Sequence, residues 1–287
     1  MGRHYWQRST LLLLLAALLS GCTGIFFYPM SPWVQNPARQ GLDYEDIILL
    51  HPDGLRLHGW WLPAQTEEVA GTVYFLHGNA QNISTHLMNV AWLPARGYQV
   101  FLLDYRGYGL SEGKPRLPEA MADIQLGLDW LRASGRVQGP LVVFGQSLGA
   151  SMTIPVLAAD KGQAPDCAMF EAGFTSFRGI TTDIMRRSWL LWPFSFVVAP
   201  TIPRQWDAAD HIAALSPMPL LILHSRDDSI IPFREGEALY AAAAQPKQFQ
   251  ALLGEHIAAG RDESVRDRLV RFMEDACGAQ SLPEPAG

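Results

Sequence analysis

Short runs that are apolar at nearly every position recur along the chain, and most run out into glycine, histidine or serine: GTVYFLHGN (71–79), QVFLLDYRG (99–107), PLVVFG (140–145), CAMFEA (167–172) and PLLILHS (219–225). A strand with one face in water alternates polar and apolar residues, whereas a strand covered on both faces is apolar throughout. These runs therefore predict buried strands. Between them lie segments with helical spacing, over 86–96, 117–133, from 148 onward, 235–244 and 262–273, and a shorter strand-like run, KQFQALLG (247–254). Strand and helix in alternation predict an α/β fold with a mostly parallel central sheet and helices on both faces. At the N-terminal edge, DIILLHPDGLRLHGWWLP (46–63) holds two extended runs about Asp53-Gly54, which is a hairpin signal. Between 177 and 217 the alternation breaks, and SWLLWPFSFVVAPTIP (188–203) forms a dense apolar, aromatic run divided by Pro193 and Pro200.

The 287 residues, 48% hydrophobic and 17% charged, suffice for one substantial core, placed by the pattern at 43–279, with 280–287 as a disordered tail. A net charge of -6, without a run of Lys or Arg, sets nucleic acid aside as a partner. Three cysteines give neither a closed disulfide framework nor the paired spacing of a zinc site. No metal is expected, and Cys167 and Cys277 read as small buried or peripheral residues. Ahead of the domain, a basic start and an apolar core over 11–19, too short to span a bilayer, read as a secretory signal. Its end, Leu19-Ser20-Gly21-Cys22, resembles the lipobox of bacterial lipoproteins. The resemblance implies that 1–21 is a signal peptide, that Cys22 carries lipid, and that 22–42 tethers the domain to the cell-envelope membrane. Thr23 stands where an aspartate would resemble an inner-membrane retention signal, which implies the outer membrane, facing the periplasm.

The run at 140–145 leads into G-x-S-x-G, from Gly145 to Gly149, with Ser147 at its centre. Glycines two residues before and after the serine relieve crowding where a strand doubles back into a helix, and the hydroxyl then stands at the tip of the sheet. Sites in such sheets form at the carboxyl ends of strands. Further stretches follow strand runs in this way: HGNA (77–80), HSRDDSIIP (224–232) and the turn GEHIAAG (254–260), with Glu171 closing CAMFE. A serine hydroxyl is a weak nucleophile that needs an adjacent base, itself oriented by a third group.

Together with LLDYRGYGLSEG (102–113), these stretches resemble the α/β-hydrolase family, closest to its small membrane-tethered serine hydrolases, which include acyl-thioesterase and lipase-like enzymes. The resemblance covers nearly the whole domain and implies an α/β-hydrolase fold with a small cap insertion at 177–217. The family's chain order of serine, acid and histidine leaves His256 as the base, because no other histidine follows the aspartates. It implies Ser147 as nucleophile and, by the spacing to Pro232, Asp228 as the acid, with Asp227 and Glu171 as alternatives. The oxyanion donors it implies are the backbone N–H groups of Asn79 and Leu148. His77 becomes a shape-setting residue of its loop, and Asp104 with Arg106 a structural pair. The implied activity is hydrolysis of a carboxylic ester or thioester of a small apolar or acyl substrate through an acyl-enzyme, with no cofactor. An acyltransferase, an amidase or peptidase using the same triad, and a noncatalytic envelope scaffold are the alternatives. The cap has two readings, one in which it packs on the domain and one in which it lines an acyl pocket or leans on the bilayer.

Overall fold

Eight strands build the main sheet of the computed structural model, which describes residues 22–278. They are β1 (Glu45–Leu50), β2 (Arg56–Leu62), β3 (Gly71–Leu76), β4 (Tyr98–Leu103), β5 (Leu141–Gln146), β6 (Cys167–Glu171), β7 (Leu220–Ser225) and β8 (Lys247–Leu252). Their spatial order is β8-β7-β6-β5-β3-β4-β2-β1. The β1–β2 hairpin and the β2–β4 pair are antiparallel, and all other neighbours are parallel. The longer helices are α1 (Glu119–Ser134), α2 (Leu148–Ala159), α3 (Phe177–Arg186), α4 (Phe233–Ala242) and α5 (Glu263–Phe272). The leader expected over 1–21, the side chain of Cys22 expected to carry lipid and the tail expected over 280–287 lie outside the described residues.

Every residue of β3 to β7 is buried, as apolar runs without alternation require. Successive side chains go to opposite faces. Tyr74 and Leu76 join a core completed by Leu128 of α1, Met152 of α2 and Leu239 of α4. Val73 and Phe75 join a second core, completed by Leu269 and Phe272 of α5. Burying each such side chain stabilises the fold by about 1.5–3 kcal/mol, so the two cores clamp the sheet that carries the site.

Three expectations are corrected. The helix expected over 86–96 is broken into Ile83–His86, Leu87–Asn89 and Pro94–Arg96. Asn89 gives its side-chain amide to Gln146 and its carbonyl to the Trp92 indole, and Pro94 has no N–H to continue a helical ladder. Arg106 does not pair with Asp104. Its planar guanidinium meets both oxygens of Asp123, buried on α1, at 2.6–3.0 Å, and reaches Asp53 at 3.1 Å. Asp104 instead accepts from the Ile83 N–H at 2.9 Å.

The third correction concerns Cys167 and Cys277, which are bonded to each other as a disulfide across a sequence separation of 110. Cys167 opens β6 and Cys277 closes the turn after α5, so the bridge staples the last helix to the sheet. Their distance along the chain hides a contact that only the packing of α5 creates. Closing so long a loop restricts the unfolded chain, and replacing both cysteines by serine is expected to cost about 2–5 kcal/mol. Urea midpoints of the two proteins check this. A midpoint unmoved by the double substitution would show that the bridge carries no stability.

The segment before β1 is woven into the domain. Tyr28–Pro29 pairs in parallel with Ala80–Gln81, just beyond β3, and Phe27 is buried. Asn82 fixes the same segment by donating to the carbonyls of Met30 and Pro32 at 2.8 and 3.0 Å.

Candidate active site

At the carboxyl end of β5 the chain reverses into α2 through Ser147, whose φ of 54° and ψ of -116° are rarely adopted by a residue with a side chain. Such a conformation costs about 1–3 kcal/mol and persists only where the surroundings enforce it. The Ser147 N–H donates to the Glu171 carbonyl at 2.8 Å. On either side the backbone packs too closely for a side chain. A Cβ on Gly149 would lie 2.3 Å from the Leu76 oxygen, and one on Gly145 would lie 2.8 Å from the Ala150 Cα. The two glycines let α2 lie against β3 and β5, and this aims Ser147 Oγ away from the sheet.

Ser147 Oγ lies 3.0 Å from Nε2 of His256, and Nδ1 of His256 lies 2.6 Å from Oδ2 of Asp228. A carboxylate only accepts, so Nδ1 carries the ring hydrogen and Nε2 is left to accept from the serine hydroxyl. Asp228 is fixed through its other oxygen, which accepts from the N–H groups of Ile230 and Ile231, both at 2.8 Å. Burial would raise its carboxyl, but the hydrogen bond from His256 and those from the two amides together hold it below the usual carboxylate value. Asp228 therefore stays ionised.

The other candidates take different places. Asp227 accepts from the Gly254 N–H at 3.0 Å and so braces the loop that carries His256. Glu171 does not bond the imidazole. One oxygen accepts from Gln146 Nε2 at 2.6 Å and the other from the Ala259 N–H at 2.8 Å, while burial raises its carboxyl above the ordinary value. Leu148 opens α2, so its N–H is one of the amides without an intrahelical acceptor. Asn79 also lines the cleft, its carbonyl accepting from the Tyr108 hydroxyl at 2.6 Å and its side chain from the Tyr28 N–H at 2.9 Å. His77 is buried, with Nδ1 bonded to the Gly78 carbonyl at 2.7 Å and its ring 4.4 Å from that of Tyr105.

Sequence reasoning missed the support beneath the serine. Asn89, Gln146, Glu171 and Ala259 form one hydrogen-bonded chain that joins the broken-helix segment, the residue before Ser147 and the loop after His256. The only signal was a glutamate at the end of an apolar strand. Also missed was Phe26, which enters the cleft wall from the N-terminal segment. The cleft at Ser147 and His256 encloses about 510 Å3, and its lining is largely apolar, with Phe174, Ile180, Ile184 and Ile231 among its residues together with Asn79 and Leu148. Among the described residues no group of three His, Cys, Asp or Glu side chains is arranged to hold a metal ion.

His86 lines the same cleft and is buried, with Nε2 bonded to the Ala80 carbonyl at 3.0 Å. Burial, then the nearby His77, brings its pKa down from 6.5 to about 3. The folded protein thus holds this ring neutral where the unfolded chain would protonate it. Stability is full above pH 6.5 and falls with the pH toward 3. At about pH 5 the loss from this one group is about 2 kcal/mol. Glu171, raised by burial, acts in the opposite sense, so the informative quantity is a difference between two proteins. His86→Gln, which keeps a donor to Ala80, is expected to lose less stability than the parent between about pH 6.5 and 4.5. Parallel profiles of melting temperature would contradict a neutral His86.

A mostly parallel sheet with a strained serine at a strand-to-helix turn, and a histidine and an aspartate brought to it from the ends of later strands, defines the α/β-hydrolase class of protein. A family model described as serine aminopeptidase S33 (Hydrolase_4) matches residues 67–192. Escherichia coli K12 YfhR is 31% identical over 264 residues, 89% of each chain. The α/β-hydrolase domain-containing protein WAV2 of Arabidopsis thaliana is 34% identical over 229 residues, 73% of this chain and 70% of that one. Among solved structures, the Pyrococcus furiosus esterase Pf2001 superposes with a TM-score of 0.70 at 21% identity, covering 88% of this chain and all (100%) of the other. The chain belongs to the α/β-hydrolase family.

Proposed function

We propose that this protein is a serine hydrolase that cleaves a carboxylic ester or thioester of an acyl substrate through an acyl-enzyme. The series of contacts from Ser147 through His256 to Asp228, at 3.0 and 2.6 Å beneath an apolar cleft, carries the reading. The Ser147 oxygen attacks the carbonyl carbon as Nε2 of His256 takes its proton. The oxyanion that forms is met by the N–H groups of Leu148 and Asn79, and the start of α2 adds the favourable end of its dipole. The bond to the leaving oxygen or sulfur then breaks, and that atom takes the proton from His256. Water, losing a proton to the same nitrogen, attacks the acyl carbon, and Ser147 leaves with its proton restored.

The walls favour an ester with an apolar acyl chain over an amino-terminal peptide. An aminopeptidase needs an anion for the substrate ammonium, and Glu255, the acidic residue lining the cleft, is a highly exposed side chain with the cationic Arg261 beside it in the same lining, at 3.6 Å. The proposal also tethers the protein by lipid at Cys22 to the periplasmic side of the outer membrane. The leader pattern supports this, and the Cys167–Cys277 bridge supports an oxidising compartment. A fluorophosphonate probe should label the protein, with p-nitrophenyl esters turned over faster than aminoacyl p-nitroanilides. Absence of labelling, or the reverse substrate preference, would refute the ester reading.

A further inference from the structure

The helix α3 sends Ile180 and Ile184 into the cleft wall and then runs into the apolar stretch 188–203. That stretch folds back on α3 as three short turns, Trp192–Phe194, Ser195–Val198 and Ala199–Thr201. Its polarity is inverted. Ser195 is 2% exposed and Ala199 is buried, whereas Trp189 is 83% exposed, Phe196 64%, and Leu190, Phe194 and Val197 are exposed as well. The Ser195 hydroxyl is satisfied internally by the Trp192 carbonyl. An amphipathic segment in water turns the other way, with large apolar groups inward and hydroxyls outward. A face of this kind is built for a solvent other than water.

We propose that the outer face of 188–203 docks on a phospholipid bilayer, with its aromatic side chains in the interfacial layer and the mouth of the cleft turned toward lipid. Three observations favour a bilayer as the occupant. The stretch carries no charge but is bracketed by Arg186, Arg187 and Arg204, which suits apolar groups among the acyl chains and guanidinium groups among anionic headgroups. Phe26 packs on Phe177 of α3 with ring centroids 5.1 Å apart and lines the cleft, and Cys22 precedes it by four residues, at most about 14 Å of chain. Finally, no helix among the described residues is long and apolar enough to cross a membrane, so the contact is shallow. Ile184 and Ile230, both half exposed and both lining the cleft, join the patch to the site. Only the consequence for substrate entry rests on the hydrolase reading. The docking does not.

The full chain is mixed with vesicles of phosphatidylcholine and phosphatidylglycerol, with or without bromine on the acyl chains, and its tryptophan fluorescence is followed. Trp189→Phe with Trp192→Phe keeps the apolar face but removes its reporters, while Trp6 of the leader is common to both proteins. The substitutions should remove about half or more of the bromine-dependent quenching. Unchanged quenching would overturn the proposal, as would a vesicle-free dimer that Trp189→Ser with Phe196→Ser dissociates, since the patch would then pair two copies. In the same double serine variant, hydrolysis of a long-chain ester held in vesicles should fall about tenfold against a soluble short-chain ester. A protein inactive on both esters but still quenched through Trp189 and Trp192 supports the docking and counts against the ester reading alone.

Discussion

Ser147→Ala is expected to lower the hydrolysis of a short-chain p-nitrophenyl ester by about 10^5- to 10^6-fold and to abolish fluorophosphonate labelling, while leaving the fold in place. The substitution is cleaner here than at most buried positions. Alanine keeps the Cβ, so the backbone at φ 54° is no more strained than before, and the N–H bond to the Glu171 carbonyl is untouched. Only the hydrogen bond to His256 is lost, and its Nε2 faces the cleft, where water replaces the hydroxyl. Stability should therefore change by no more than about 1 kcal/mol. The proposed reaction loses its nucleophile outright. What survives is what the oxyanion donors and binding supply to attack by water, about 10^3- to 10^4-fold over the uncatalysed reaction. A variant that keeps about a hundredth of the parent rate, with its melting temperature unchanged, would remove Ser147 from the role assigned to it.

The sheet was legible because burial on both faces writes itself into a strand as an unbroken apolar run, and β3 to β7 have no residue exposed. The serine turn was legible for a similar reason. A close backbone approach tolerates only glycine, and Gly145 and Gly149 mark it from both sides. His256 and Asp228 needed the family's chain order, since nothing local distinguishes either from a loop residue. Other contacts left no local trace. The Cys167–Cys277 bridge and the choice of Asp123 by Arg106 depend on how α5 and α1 lie on the sheet, which neither spacing nor composition encodes. The chain from Asn89 to Ala259 joins three separate segments, and its members read singly as ordinary polar residues at the edges of apolar runs. The exposed aromatics of the cap were legible as residues but not as a surface. Their orientation reverses the rule by which a run of this kind is assigned to a core.

Asp228→Asn is the sharper test of how the proposed triad is wired, with an expected loss of about 10^4-fold in kcat and a structure otherwise unchanged. The two oxygens of Asp228 do different work. Oδ1 accepts from the amides of Ile230 and Ile231, so an asparagine must set its carbonyl oxygen there, because an NH2 group would confront two donors. Its NH2 then points at Nδ1 of His256, where the carboxylate oxygen stood at 2.6 Å. A donor facing Nδ1 forces that nitrogen to accept and moves the ring hydrogen to Nε2. The imidazole now presents an N–H to Ser147 and cannot take its proton, although no atom has moved by more than the difference between oxygen and nitrogen. Asp227→Asn is the matched control. Its carboxylate bonds the Gly254 N–H and not the imidazole, so an amide oxygen can replace it and the loss should stay within about tenfold. Equal losses from the two substitutions would show that the carboxylates act together through the loop, and the orientation of His256 by Asp228 alone would have to be abandoned.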